Sequence, residues 1–171
     1  MSRTWIVMIA LLAALARWSS AATLARDTQE LRLQGVLDPS TGAGDEIDVA
    51  GSYGYFFLDN VQAGGRLSLL DNDILTSLAA GAFVESNFDT GTSVMPFGEA
   101  YVGIAQVDVQ KGDTELAGVL EGRAGAKFFL SENVALAAAG VFAFATEDIY
   151  PDDNQWDDTD VFIELSLRCY L

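Results

Sequence analysis

Val161-Phe162-Ile163-Glu164-Leu165-Ser166-Leu167-Arg168-Cys169-Tyr170-Leu171, at the end of the sequence, is the stretch that decides the fold. Every odd-numbered residue in it is apolar, whereas the even-numbered residues mix charged groups with aromatic rings. Successive side chains of a β-strand point to opposite faces, so this alternation has the period of a strand and not the 3.6-residue period of a helix. The stretch predicts a strand with one wholly apolar face.

The same alternation predicts seven more strands, at 30–37, 47–57, 61–70, 74–86, 94–106, 116–130 and 135–145. Their connections fall at 38–45, 59–60, 71–73, 87–93, 107–114, 131–133 and 147–160. Segments of about ten residues match a strand that crosses a bilayer at a tilt. An even number of such strands joined in sequence predicts an all-β fold, an eight-stranded antiparallel up-and-down transmembrane β-barrel.

A soluble barrel of the lipocalin kind, with the apolar face turned inward, is the main alternative fold. Its outer face would need many Lys, Glu and Thr residues to meet water. The second face of these strands instead carries Ala, Gly and Ser with isolated charges, and its only lysine is Lys127. Small residues of this kind suit a narrow barrel interior, so the membrane barrel is favoured.

The first residues predict a secretory signal peptide. A basic start, Met1-Ser2-Arg3, precedes twelve apolar residues at 5–16, and small residues follow at 19–22. This pattern predicts a signal at 1–22 that is cleaved, and a barrel domain at 23–171. An N-terminal anchor that stays attached is the alternative.

Two segments resemble small bacterial outer-membrane β-barrel proteins of the eight-stranded, OmpA/OmpX-like kind. The stretch Pro96-Phe97-Gly98-Glu99-Ala100-Tyr101-Val102-Gly103-Ile104 resembles their fifth strand, and Gly122 to Leu136 is similar to their penultimate hairpin. Such barrels usually end in Phe or Trp, and Tyr170-Leu171 departs from that pattern. The resemblance implies the bacterial outer membrane, with its lipids, lipopolysaccharide and barrel-assembly machinery as partners, and brings no catalytic residues with it.

The composition excludes several kinds of function. The formal net charge is −16, and so acidic a chain cannot make the Lys and Arg contacts with phosphates on which nucleic-acid binding depends. No histidine occurs in the sequence, which removes the usual base of a hydrolytic site. Cys169 is the only cysteine, so an intramolecular disulfide is impossible. We expect neither an enzyme nor a cofactor.

Two sets of charged residues are candidate sites. Acidic residues crowd 147–160 without the spacing of an EF-hand, which predicts only weak Ca²⁺ binding, at Asp152, Asp153, Asp157 and Asp158. Charges on the inward face of the strands are expected to pair across the lumen, because a charge removed from water is costly unless it is paired. This predicted lumen network comprises Glu30, Arg32, Asp48, Arg66, Glu99, Glu121, Arg123, Lys127, Glu164 and Arg168.

The function expected from these features is that of a monomeric, non-enzymatic outer-membrane barrel with acidic surface loops and a structural or surface-interaction role. A narrow pore for ions or small molecules is one alternative. A soluble periplasmic barrel that binds a ligand is the other.

Overall fold

The computed structural model describes residues 24–37, 47–71, 75–109, 114–152 and 155–171. The predicted signal peptide at 1–22 lies outside these ranges. Within them, no helix is long and apolar enough to cross a membrane.

Eight antiparallel strands close into a barrel, which confirms the predicted fold class. The first and last of them pair, from Glu30 opposite Tyr170 to Leu37 opposite Ile163, so no strand of the ring keeps a free edge. The described strands are β1 Gln29–Leu37, β2 Ile47–Leu58, β3 Val61–Asp71, β4 Leu75–Asn87, β5 Val94–Val109, β6 Thr114–Ser131, β7 Val134–Ala145, β8 Tyr150–Asp152, β9 Gln155–Asp157 and β10 Thr159–Tyr170. All of them except β8 and β9 belong to the barrel, whose ring order is β1-β10-β7-β6-β5-β4-β3-β2.

The two ends of the barrel differ in their connections. We call the end with the connections 59–60, 88–93 and 132–133 the turn end; Leu24 and Leu171 also lie there. Asn60 takes up a left-handed conformation in the first of these turns (φ 61°), which asparagine tolerates better than most residues. The opposite end, with the connections 38–46, 72–74, 110–113 and 146–158, is the loop end.

The loop end departs from the prediction in two places. Strands β5 and β6 continue past the predicted limits, to 109 and from 114, because Asp108 pairs with Thr114 across the ladder and accepts a hydrogen bond of 2.5 Å from its hydroxyl. The segment 147–160, predicted as a loop, contains β8 and β9, which form a two-stranded sheet of their own. A strand of three residues is too short to show an alternation in the sequence.

The two faces of the strands are divided as in a membrane barrel. Large apolar side chains point outward and stay exposed, such as Leu33, Leu67, Val102 and Val161, each more than three-fifths exposed. The charged side chains of the same strands point inward and are buried, as Arg168 shows with none of its surface exposed. This is the reverse of the arrangement in a soluble barrel.

Glycines make room for two large inward side chains. A Cβ atom at Gly64 would lie 2.7 Å from Cζ of Phe83, and one at Gly103 would lie 2.6 Å from Cζ of Tyr101. The Phe83 ring therefore lies against the neighbouring strand β3 and the Tyr101 ring against its own strand β5, at positions where only glycine leaves the space. Phe83 and Tyr101 are fixed in this way against the inner wall.

We expect Ile163→Arg to destabilise the folded barrel by about 2–4 kcal/mol in lipid vesicles, because Ile163 points outward near the middle of β10, where arginine would meet hydrocarbon. The matched control is Leu58→Arg, at the turn end of β2, where the cost near the interface is about 0–1 kcal/mol. The two side chains are equally exposed, 52% and 53%. Equilibrium unfolding in urea measures both, and equal costs would contradict a membrane centred on the barrel.

Candidate functional site

Among the described residues, ten charged side chains fill the barrel interior, five glutamates and five arginine or lysine residues, so the formal charges of these ten cancel. Each is more than nine-tenths buried. They come from six strands because the inward position recurs at every second residue. The ten are Glu30, Arg32, Arg66, Glu85, Glu99, Glu121, Arg123, Lys127, Glu164 and Arg168.

Glu85 is the centre of the group nearer the turn end. Its carboxylate lies 2.6 Å from Nη1 of Arg168, 2.7 Å from Nζ of Lys127 and 3.0 Å from Nη2 of Arg32. It also accepts a hydrogen bond of 2.7 Å from the Gln62 amide. Three cations on one carboxylate offset the cost of removing that carboxylate from water.

Glu30 is the second carboxylate of this group. It lies 2.9 Å from Arg32, 3.1 Å from Lys127 and 3.4 Å from Arg168. We name Glu30, Arg32, Glu85, Lys127 and Arg168 the Glu85 cluster. Its five side chains come from β1, β4, β6 and β10, so the contacts cross the lumen and do not follow one strand pair.

Arg123 is the centre of the group nearer the loop end. Its guanidinium binds Glu99 at 2.5 Å, contacts Glu121 with Nη2 and lies 3.2 Å from Glu164. Glu121 also binds Arg66 at 2.6 Å. We name Arg66, Glu121, Arg123 and Glu164 the Arg123 cluster. Glu99 joins the two clusters, because its other oxygen lies 2.6 Å from Arg32.

Aromatic rings supply further contacts for the cations. Lys127 Nζ lies 5.5 Å from the ring centre of Tyr170, 5.6 Å from that of Phe97 and 5.9 Å from that of Phe56. The guanidinium of Arg66 lies 3.8 Å above the ring of Tyr101. Such contacts favour a cation over a ring face most strongly where water is excluded.

The turn end of the lumen is closed by apolar side chains below the Glu85 cluster. They pack against one another and are almost wholly buried, and the rings of Phe129 and Tyr170 stack with centres 5.4 Å apart. The residues of this floor are Leu24, Phe56, Met95, Phe129, Ala135 and Tyr170.

A cavity of about 80 Å³ lies beside the Arg123 cluster and is lined by Gln34, Arg66 and Glu164 among others. A space of this size is large enough to hold water. Its polar lining includes the Gln34 amide nitrogen, which has no protein partner. The lumen therefore contains a small polar cavity beside tightly packed charges.

The structure brings together nine of the ten predicted lumen residues. The side chain of the tenth, Asp48, lies outside the described side chains. The network predicted from the sequence left out Glu85, although its carboxylate contacts three cations. The alternation in residues 74–86 was the signal that could have included it.

The proposed calcium ligands fall partly outside the described residues, since Asp153 and the side chain of Asp152 are not described. Hydrogen bonds from Asp158 lower the pKa of Asp157, and the hydrogen bond with Asp157 raises the pKa of Asp158. The two carboxyl groups therefore lie close together. Among the described residues, no three His, Cys, Asp or Glu side chains are placed to hold a metal ion.

Comparison with known proteins shows the fold. No family model and no curated protein sequence matches the chain. The N-terminal β-barrel domain of Pseudomonas aeruginosa OprF matches with a TM-score of 0.63 and 13% identity over 85% of this chain and 98% of that one. Neisserial surface protein A (NspA) matches with a TM-score of 0.55 and 17% identity over 84% and 92%.

The Yersinia pestis outer membrane protein Ail, solved in a phospholipid bilayer nanodisc, matches with a TM-score of 0.51 and 10% identity over 84% and 97% of the two chains. The chain thus has the fold of small eight-stranded outer-membrane barrels, as the resemblance in the sequence implied.

We expect Glu85→Ala to lower the free energy of unfolding by about 3–5 kcal/mol, because it removes a carboxylate that contacts three buried cations. The control, Arg26→Ala, removes an ion pair to Asp27 that is about 70% exposed, and should cost about 0–1 kcal/mol. Equilibrium unfolding in detergent micelles measures both. If the cluster acts as a unit, the double variant Glu85→Gln, Lys127→Met should lose less free energy of unfolding than its two single variants lose together. Losses that simply add would contradict this coupling.

Proposed function

We propose that the protein is an integral barrel of the bacterial outer membrane, without enzymatic activity, whose lumen is sealed and whose acidic loops face the outside of the cell. The likeness to outer-membrane barrels and the apolar outward face support the location. The balanced, buried charge network carries the proposal of a sealed lumen. The role that fits both is structural or one of surface contact.

The network opposes conduction for a physical reason. The interior of an eight-stranded barrel is just wide enough for side chains to fill. A permeant ion would have to displace groups such as Arg168 and Lys127, which contact Glu85 at 2.6 and 2.7 Å. Breaking buried ion pairs is strongly unfavourable, so the narrow pore is the weaker alternative.

The buried glutamates do not favour catalysis. Glu99 and Glu121 are each bound by two arginines. Both oxygens of each carboxylate contact guanidinium groups, so neither carboxylate has an oxygen free to act on a substrate. The absence of histidine from the sequence leaves no ordinary general base either.

The loop end concentrates the excess acid. In outer-membrane barrels the short turns are periplasmic and the longer loops extracellular, so the loop end would face outward. Its four connections contain eleven acidic residues and one basic residue, Lys111. The three turn-end connections contain only three acidic residues. Divalent cations that bridge these acids to the anionic sugars of lipopolysaccharide would provide the surface contact. The loop-end acids are Asp38, Asp45, Glu46, Asp73, Asp113, Glu147, Asp148, Asp152, Asp153, Asp157 and Asp158.

We expect the protein to remain with salt-washed outer membranes and, once purified from them, to give no sustained current in planar bilayers. Replacing Glu85, Lys127 and Arg168 together with alanine removes the centre of the Glu85 cluster and should produce conducting openings. A shift in gel mobility on boiling verifies that each sample is folded. Stable conductance steps from the unaltered protein would contradict the sealed lumen, and recovery in the soluble periplasm would contradict the location.

We expect weak Ca²⁺ binding at the loop end, with a dissociation constant on the order of 10⁻⁴–10⁻³ M, because the acids lack a preformed site. Isothermal calorimetry should show it reduced in the variant with Asp152, Asp153, Asp157 and Asp158 changed to Asn. Glu132→Gln, which removes a turn-end acid, is the control and should bind as the unaltered protein does. If the fourfold variant and the unaltered protein gave identical heats of Ca²⁺ binding, the proposed calcium site would be contradicted.

A further inference from the structure

The inner wall changes from charged to apolar near the loop end. Above the Arg123 cluster the wall between β5 and β7 consists of small apolar side chains, none more than 5% exposed. The interior of a membrane barrel is ordinarily polar, so this wall needs an apolar occupant to shield it from water. We call this region the mouth chamber; its wall residues are Ala105, Val107, Ala117, Val119 and Ala145.

Ile149 occupies the mouth chamber. It lies in the connection between β7 and β8, is 6% exposed and packs in one cluster with the alanine and valine wall. Tyr150 lies against the same cluster, and burial is the main cause that raises its pKa. The loop itself therefore fills a chamber that the barrel wall leaves open.

Few other contacts in the described residues hold this loop down. The β8–β9 hairpin forms a separate sheet and adds no rungs to the barrel ladder. At its root, the Thr146 amide donates to the Gly118 carbonyl at 2.9 Å, and the Ala145 amide donates to Asp158 at 2.7 Å. An isolated two-stranded hairpin is marginally stable, so burial of Ile149 contributes much of what keeps it seated. A competing apolar group could replace that single side chain.

The floor of the mouth chamber offers hydrogen-bond donors without partners. The ring of Tyr101 lies over Gly103, two residues nearer the loop end, so its hydroxyl points into the chamber. The hydroxyl is buried, on a residue only 2% exposed, and has no hydrogen-bond partner. Nε of Arg66, whose guanidinium lies on the same ring, also has none. A buried donor without an acceptor is costly, so an oxygen atom placed within reach of the Tyr101 hydroxyl would be stabilised there.

We propose that the mouth chamber is a binding site for a small neutral amphiphile, such as a short-chain alcohol or ketone. Its hydrocarbon part takes the place of Ile149 against the alanine and valine wall. Its single oxygen accepts hydrogen bonds from Tyr101 and Arg66. An apolar pocket with a few convergent polar groups is the usual form of a small-molecule site.

Charge decides against an ionic ligand. Arg66 is already bound to Glu121 at 2.6 Å, so a carboxylate ligand would add a buried negative charge without a free cation to balance it. A cationic ligand would bring a second buried positive charge close to the guanidinium of Arg66, and the described residues of the chamber wall include no carboxylate to balance it. A neutral oxygen satisfies the donors and leaves the ion pair intact.

Ile149 competes with the ligand for the same space. The apparent affinity of a ligand falls by the fraction of molecules whose site is open, so the seated loop weakens binding. Shortening Ile149 should therefore tighten binding, whereas removing the Tyr101 hydroxyl should weaken it. These opposite effects are specific to the proposed site.

Alanine methyl NMR of the full-length barrel in nanodiscs tests the proposal, with n-hexanol as the probe. Ala105, Ala117 and Ala145 report on the chamber, whereas the outward Ala100 and Ala124 report on probe dissolved in the surrounding lipid. We expect the chemical shifts of the chamber methyls to change and then level off as n-hexanol is added. The chemical shifts of the outward methyls should change in proportion to the n-hexanol concentration. Ile149→Ala should lower the dissociation constant about tenfold or more. The reason is that a buried isoleucine contributes more packing free energy than corresponds to a tenfold change in affinity.

Tyr101→Phe, made in the Ile149→Ala background, separates ligand binding from packing. It should weaken n-hexanol about three- to tenfold, the contribution of one neutral hydrogen bond, and leave n-hexane unchanged. Chamber methyls that do not respond in Ile149→Ala, or that shift without saturation as the outward methyls do, would overturn the proposal. So would equal effects of Tyr101→Phe on the two probes. The result does not depend on whether the lumen conducts, so failure here leaves the sealed-lumen proposal standing.

Discussion

The cost of keeping charge away from water is the constraint on which the rest of this structure depends. Among the described residues, ten charged side chains lie inside a barrel too narrow for bulk solvent, and each contacts at least one side chain of opposite charge, which offsets the cost of its burial. Glu85 binds three cations, and Glu99 binds an arginine from each of the two clusters. The charges must therefore sit in fixed places. Their strands, in turn, must hold one register, since a slip of one residue would carry each charge to the lipid face.

The apolar outer surface and the charged interior are two consequences of one alternation. A soluble protein of this length would hide its leucines and expose its arginines. Here Leu33 is 62% exposed while its neighbour Arg32 is 4% exposed. Such a chain is stable only where hydrocarbon replaces water outside. At the loop end the interior itself turns apolar, and there a side chain of the chain's own loop, Ile149, takes the role that lipid has outside.

The sequence predicted the barrel and the faces of its strands because period two is a local property, legible within ten residues. Which charges would touch is not local. Arg168 and Glu85 lie on strands that are not neighbours, and their contact depends on the barrel radius and on side chains long enough to cross it. The hairpin of β8 and β9 escaped prediction because its strands have three residues each. The packing site of Ile149 is formed by small residues of other strands, and no sequence motif predicts it.

The pairing of β1 with β10 has a consequence for how the chain reaches its native state. The contact between Glu30 and Arg168 joins residues 138 positions apart, so it forms only after the whole barrel has been synthesised. Contacts between residues so distant in sequence are slow to form, since much chain entropy is lost first. Until β1 and β10 pair, Lys127 and Glu85 lack some of their charged partners, and the edges of these two strands remain unpaired. An incomplete barrel thus exposes two strand edges that can pair with other chains, together with buried charges that lack their partners.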